Sequence, residues 1–299
     1  MHRFRQLAVG LLRQESDAGL IRNAAMICSL GTVQDVRFVH VLPAASGKGS
    51  ADHGRVQAEL HESARQSLAG IQGGPRVSCD VLSGPLTDQL LAYTAQQQID
   101  LLLVGHGRGH SGRRALARRL AMKAPCSVWM APQDSPPQVS AILAPVDFSE
   151  HAADTVRVAC SLARLSGAAR CLALHVYFNE AVVTYEGYDA VLRGQEEEAW
   201  QKFIAPIDCQ GVAVTPLFEE SSHVAHAIGR VAEREGAELI VMGTRGRSRS
   251  AAILLGSVTE EMIIDAKVPL LAIKHFGARI GVLQALLDRR FFLAGGTHT

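Results

Sequence analysis

Two hydrophobic periods take turns along this chain. Short apolar runs alternate with longer segments whose apolar residues recur every three or four positions. The first kind reads as buried strand and the second as amphipathic helix. In the first half, strand patterns fall at 6–12, 35–42, 76–82, 100–104 and 126–130. Helical patterns fall between them at 16–30, 56–71, 86–97 and 113–123. Ser16 is placed to cap the first helix, and Gly31 to end it. Residues 43–52 and 131–138 carry small residues and prolines without periodicity, and read as loop and linker. The order then repeats. Strands are predicted at 140–146, 170–177, 212–217, 238–242 and 269–273, with helices at 149–165, 190–204, 222–235 and 258–266.

Residues as well as patterns repeat. His40-Val41 and His175-Val176 end the second strand of each half. Cys28-Ser29-Leu30 and Cys160-Ser161-Leu162 sit in the first helix, and Lys123-Ala124-Pro125 and Lys267-Val268-Pro269 precede the last strand. The chain is therefore an internal duplication. Its expected division is 1–132, a linker 133–138, a second unit 139–276 and a tail 277–299. Alternating strands and helices predict an α/β fold, with two tandem five-stranded parallel open sheets covered by helices on both faces. In the tail, Ile280, Leu283, Leu287 and Phe291 recur at helical spacing. They predict an amphipathic helix docked on its own protein, or alternatively on a partner or a membrane surface.

Composition narrows the class without naming it. The 299 residues are 47% hydrophobic and 20% charged, with a net charge of +1. That balance implies no bulk attraction to nucleic acid or to an anionic membrane. No run approaches the roughly 18 apolar residues of a membrane helix. The six cysteines form no CxxC pair, so buried thiols in a reducing, cytoplasmic setting are expected.

The candidate chemistry lies at 243–259, GTRGRSRSAAILLGSVT, between a strand and a helix. Gly243 and Gly246 allow close backbone approach, and a helix starting at Gly256-Ser257 points N–H groups and its positive end at the same place. Such a loop at a strand's carboxyl end suits a phosphate-bearing ligand. Arg245, Arg247 and Arg249 lie in the loop and read mainly as solvated charges. His223 and His226 share a helix face without further metal ligands in view. There is no GxxxxGK[ST], GxSxG, HExxH or SGGxDS motif, and no clear general base or nucleophile.

The pattern Gly243-x2-Gly246-x9-Gly256-Ser257 resembles the nucleotide-binding signature of the universal stress protein family. Ile142 to Asp147, Leu174-His175-Val176 and Gly256 to Glu260 agree with it. The likeness is strong over 140–275 and weaker over 5–131. It implies a Rossmann-like fold similar to the adenine nucleotide alpha-hydrolases, and a tandem form packed as an internal pseudo-dimer through its last strands. It further implies ATP, or another adenine nucleotide, in the second half, with Mg²⁺ held by phosphate oxygens and water. On this likeness Pro145 and Val146 line the nucleoside, the Val176 backbone reads the adenine edge and Met242 packs on base or sugar. Gly243, Gly246, Gly256, Ser257, Val258 and Thr259 would hold ribose and phosphates. Asp147 is either a nucleoside acceptor or a cap for the following helix.

The first half lacks these residues. Leu12 or a neighbour stands where Asp147 stands, and Gly105 to Pro125 spans 20 positions against 26 from Gly243 to Pro269. Arg113 falls opposite Ser257. Arg108, Arg113, Arg114, Arg118 and Arg119 read as a basic solvated helix. The expectation is therefore a stress-response regulator or interaction protein with one intact nucleotide site. Its protein partner is unidentified, and a further homodimer is open. A slow ATPase and a nucleotide-free scaffold are the alternatives.

Overall fold

The structure is a computed structural model. It describes residues 4–12, 17–43, 50–71, 73–106, 111–133, 135–178, 188–244, 255–265 and 267–274. The expected tail helix, Ser16, Gly246 and the loop arginines Arg245, Arg247 and Arg249 lie outside the described residues.

In the first half the elements are β1 (Gln6–Leu11), α1 (Asp17–Ser29), β2 (Asp35–Leu42), α2 (Ser50–Leu68), β3 (Arg76–Ser83), α3 (Leu86–Gln96), β4 (Leu101–His106), α4 (Ser111–Lys123) and β5 (Ser127–Pro132). The second half has β6 (Ala141–Val146), α5 (Glu150–Ser166), β7 (Arg170–Tyr177), α6 (Tyr188–Ile204), β8 (Val214–Glu220), α7 (Val224–Arg234), β9 (Leu239–Gly243), α8 (Ser257–Asp265) and β10 (Leu270–Ile273). Several boundaries move from those the pattern predicts; β8, expected at 212–217, spans Val214–Glu220. α2 begins at Ser50, inside the expected loop. β5 runs on to Pro132, because its parallel ladder with β4 extends to His106↔Pro132.

The strands form a single sheet in the order β3-β2-β1-β4-β5-β10-β9-β6-β7-β8. Each half is parallel. The halves join where β5 and β10 pair antiparallel, Leu270↔Met130, Leu271↔Trp129 and Ala272↔Val128. The tandem five-stranded sheets are thus present, but fused edge to edge through their last strands. Each unit's exposed edge is covered by the other, which removes a site of uncontrolled pairing.

Both faces of the sheet are apolar. β4 (LLLVGH) and β9 (LIVMG) are almost continuously buried, as central parallel strands are. Val9, Leu103, Trp129, Leu271, Val241 and Ile142 share one core, under α1, α2, α5 and α6. Ala8, Leu102, Val128, Met130, Ala272 and Met242 share the other. Each core runs through the seam without a break. Trp129 at its centre is 1% exposed. Its Nε1 makes no hydrogen bond among the described residues. The seam is tied at its margins. Lys274 Nζ donates to Met122 O at 2.7 Å, and Arg118 Nε meets Glu260 Oε1 at 2.5 Å between α4 and α8.

Candidate functional site

In each half the chain steps outward from the first strand to the third, then crosses back. Strand order reverses between β1 and β4, and between β6 and β9. Open α/β sheets hold ligands in the crevice at such a reversal, beyond the strands' carboxyl ends. In the second half, Pro145, Val146 and Asp147 stand on one side of that crevice. Met242, Gly243 and Thr244 stand on the other.

The ladder beside this crevice is shorter in the second half than in the first. β6 pairs with β9 only at Ile142↔Leu239 and Leu143↔Ile240. β1 pairs with β4 from Leu7↔Leu101 as far as Gly10↔Val104. Gly10 occupies the place of Pro145. Proline brings no N–H to a ladder, whereas glycine does. The second-half strands have parted before they reach Pro145, and the first-half strands are still zipped at Gly10.

Asp147 follows β6 directly. Its Oδ1 accepts from the Ser149 N–H at 3.1 Å and from the Ser149 hydroxyl at 2.6 Å. The helix cap is Ser149 rather than Asp147: the Ser149 oxygen accepts from Ala152 N–H at 3.2 Å. Between them, Phe148 turns the chain with φ +60°, a costly conformation for a bulky residue. Packing holds it there. Its ring stacks on His175 at 4.1 Å and 22°, and meets Phe203 at 5.3 Å. His175 Nδ1 donates to Val146 O at 2.9 Å, and its Nε2 lies 3.3 Å from Glu196 Oε2. The sequence marked His175 only as a repeat landmark and as part of the family likeness. The roles of Phe148 and Glu196 had no local signal, since both rest on contacts between distant elements.

Across the crevice the glycine loop is pinched at its base. Thr244, 2% exposed, donates its N–H to Ile273 O at 3.0 Å. Its carbonyl accepts from Gly256 N–H at 2.8 Å. The Thr259 hydroxyl donates to Gly243 O at 2.9 Å. The two ends of the loop are therefore fastened together at Gly243-Thr244 and Gly256. Sequence reading passed over Thr244. The same bonds change two assignments. The Gly256 N–H closes the loop instead of facing a ligand, and Thr259, 4% exposed, positions Gly243 with its only hydroxyl proton. The first helical bond runs from Glu260 N–H to Gly256 O. The N–H groups of Ser257, Val258 and Thr259 thus precede the helical ladder, where a helix start attracts anions. Ser257 is exposed.

Val176, next to last in β7, is half-buried opposite Glu219 of β8. Met242 is 5% exposed and belongs to the core with Ile240 and Met262, so its side chain packs inward. Away from the crevice, His223 and His226 stack at 5.8 Å. His226 Nε2 lies 3.5 Å from Glu261 Oε1. Among the described residues no group of three or more His, Cys, Asp or Glu side chains is arranged to hold a metal.

The first half builds the same place from other residues. His40 Nδ1 donates to Leu11 O at 2.9 Å, as His175 does to Val146 O. Leu11↔His40 and Val146↔His175 are matching register pairs, so Leu12 is the counterpart of Asp147. The remaining cavity is about 20 Å³, lined by Gly10, Leu12, Asp17, Gly105, His106 and Gln133 among others. A single water needs roughly 10–15 Å³, so this space is far below nucleotide size. The chain leaving β5 presses on it: a Cβ on Gly19 of α1 would lie 2.6 Å from Gln133 O. Of the basic helix, Arg118 is not simply solvated but pairs with Glu260 across the seam.

The site and sheet thus define a doubly wound, tandem α/β protein with crevices at its strand reversals. A profile described as the universal stress protein family matches residues 4–132 and again 139–274. The chain belongs to the universal stress protein family. It is 32% identical over 136 residues to a universal stress protein from Thermus aquaticus, a match covering 44% of this chain and 97% of that protein. Two solved structures share the whole tandem fold. A functionally unknown protein of Pseudomonas aeruginosa PAO1 superposes with TM-score 0.72 at 18% identity, covering 96% of this chain and 98% of that one. A universal stress protein from Archaeoglobus fulgidus gives TM-score 0.66 at 17% identity, covering 92% and 98%. No helix among the described residues is long and apolar enough to cross a membrane.

Proposed function

We propose that the second half binds one adenine nucleotide, ATP in the first instance, and that the protein acts as a nucleotide-dependent stress-response regulator or interaction protein. The observation that carries this reading is the base of the glycine loop. The Gly256 N–H to Thr244 O bond and the Thr259 to Gly243 bond hold the start of α8 at the mouth of a crevice opened beside Pro145. A phosphate there meets the N–H groups of Ser257 to Thr259, with Gly246 as a further contact on the family likeness. On this reading the Asp147 carboxylate accepts from a nucleoside hydroxyl or amine. Pro145, Val146 and Val176 supply its nucleoside side. Mg²⁺ would be held by phosphate oxygens and water rather than by protein side chains.

The test is to denature the purified protein and identify the released small molecule by mass spectrometry, then to record the thermal shift with added ATP. An adenine nucleotide in the supernatant, or a shift that ATP produces and guanosine triphosphate does not, supports the reading. A protein that releases no nucleotide and shows no shift with any adenine nucleotide overturns it.

A further inference from the structure

At the end of the second-half sheet opposite the crevice, three thiols meet. Cys160 lies on α5, Cys171 near the start of β7, and Cys209 in the turn after α6. Cys160 is in side-chain hydrogen-bonding contact with both of the others. Cys160 and Cys171 are 0% and 3% exposed, and Cys209 is only partly buried. One thiol of the cluster therefore reaches solvent, and a sealed thiol lies directly behind it. The other cysteines do not cluster. The groups acting on Cys28, Cys79 and Cys126 include no second thiol. Cys28 is the repeat counterpart of Cys160, but Val36 stands where the second half has Cys171.

The turn that carries Cys209 is fixed against α5. Gln210 and Gly211 both have positive φ, 55° and 79°. The Gln210 amide donates to Ser161 Oγ at 2.7 Å and accepts from Arg164 Nε at 3.2 Å. Ser161 is the neighbour of Cys160, so the anchor of the turn lies one residue from the thiol it faces.

We propose that Cys160 and Cys209 form a reversible disulfide driven by hydrogen peroxide. The Cys209 thiolate attacks one peroxide oxygen, the O–O bond breaks, and hydroxide leaves, giving Cys209 sulfenic acid. The Cys160 sulfur then attacks the Cys209 sulfur. The S–O bond breaks, and the Cys160 proton leaves with the hydroxyl as water. In sum two thiols and one peroxide become one disulfide and two waters, with the peroxide taking both electrons. The bond pins the turn after α6 to α5, the helix capped by Ser149 beside Asp147. Burial and then Cys160 push the Cys209 thiol up to about 11, with Asp208 raising it and Arg157 lowering it. The thiolate is a minor form near neutrality, so the reaction rate rises about tenfold per pH unit below that value.

The experiment uses the full chain, reduced and desalted, then treated with hydrogen peroxide. It is alkylated in denaturant and digested without reductant for peptide mapping. The expected result is a Cys160–Cys209 linked peptide, a fall in titratable thiols from six to four, and recovery on adding dithiothreitol. Cys209→Ser should keep its thiol count through the same treatment. Cys160→Ser should leave a Cys209 sulfenic acid that dimedone traps. A Cys160–Cys171 link, over-oxidation of Cys209 with Cys160 still reduced, or no reaction at any pH would overturn the proposal. The wild-type peptide map reads the link directly, so it decides the matter even where a variant does not fold.

Discussion

The two halves share a strand order, a helix arrangement and the same histidine-to-carbonyl bond, yet they treat their crevices in opposite ways. β1 and β4 stay paired as far as Gly10↔Val104, while β6 and β9 part after Leu143↔Ile240. Asp147 at one strand end is Leu12 at the other. The second half fastens the ends of its loop together at Thr244, and in the first half the chain leaving β5 lines the small cavity beside Gly10 and Gly105. Each copy covers the other's last-strand edge through the β5–β10 pairing, and the residues that differ between the two crevices lie at strand ends, outside the shared core.

That separation can be tested first at the seam. Trp129→Ala should destabilise the whole chain by about 3–5 kcal/mol, the usual cost of removing a buried Trp side chain. Urea unfolding should show both halves weakened together, because the core runs through β5 and β10. Trp129→Phe should cost much less, since the indole N–H makes no hydrogen bond among the described residues. Unfolding of one half alone in Trp129→Ala would break the picture of a common core.

At the site, Asp147→Ala should weaken nucleotide binding by about 1.5–3 kcal/mol, roughly 10- to 100-fold, the range for a lost charge-assisted hydrogen bond. Gly256→Val should act in the same direction by crowding the base of the loop. Leu12→Ala should leave binding unchanged. Equal losses from Asp147→Ala and Leu12→Ala, read by calorimetry, would erase the asymmetry between the halves.

A smaller effect is expected at the strand opening. Pro145→Gly restores an N–H to β6 and should let its ladder with β9 lengthen, weakening binding by about 0.5–1.5 kcal/mol, the scale of one hydrogen bond. Amide exchange would show new protection at Ala144 and at the substituted position. Unchanged exchange and affinity would remove proline as the cause of the open crevice.

The smallest effect belongs to the surface pair. Arg118 and Glu260 are 44% and 35% exposed, so Arg118→Ala should cost at most about 1 kcal/mol and less in high salt. A larger, salt-independent loss in thermal unfolding would mean that this pair organises the seam.

Much of this architecture was readable from the sequence. The two hydrophobic periods located the strands and helices, and the repeated His-Val, Cys-Ser-Leu and Lys-x-Pro segments exposed the duplication. The misplaced boundaries have local causes. α2 starts in a stretch of small residues that looks like loop, and β5 continues through a proline because β4 supplies a partner. What the sequence concealed depends on distant contacts. Thr244 matters through Ile273 and Gly256, and Phe148 holds a positive φ only because His175 and Phe203 pack against it. Glu261 reaches His226 from another helix. The residues from 245 to 254, with Gly246 among them, lie outside the described part of the structure. The family likeness alone assigns their contacts.

The central claim is that one chain carries one working nucleotide crevice, in the second half. Titrating the ligand-stripped, full-length protein with ATP by calorimetry measures this directly. The account predicts one nucleotide per chain, abolished or greatly weakened in Asp147→Ala and retained in Leu12→Ala. Two equivalent nucleotides per chain, or one that survives Asp147→Ala undiminished, would contradict it.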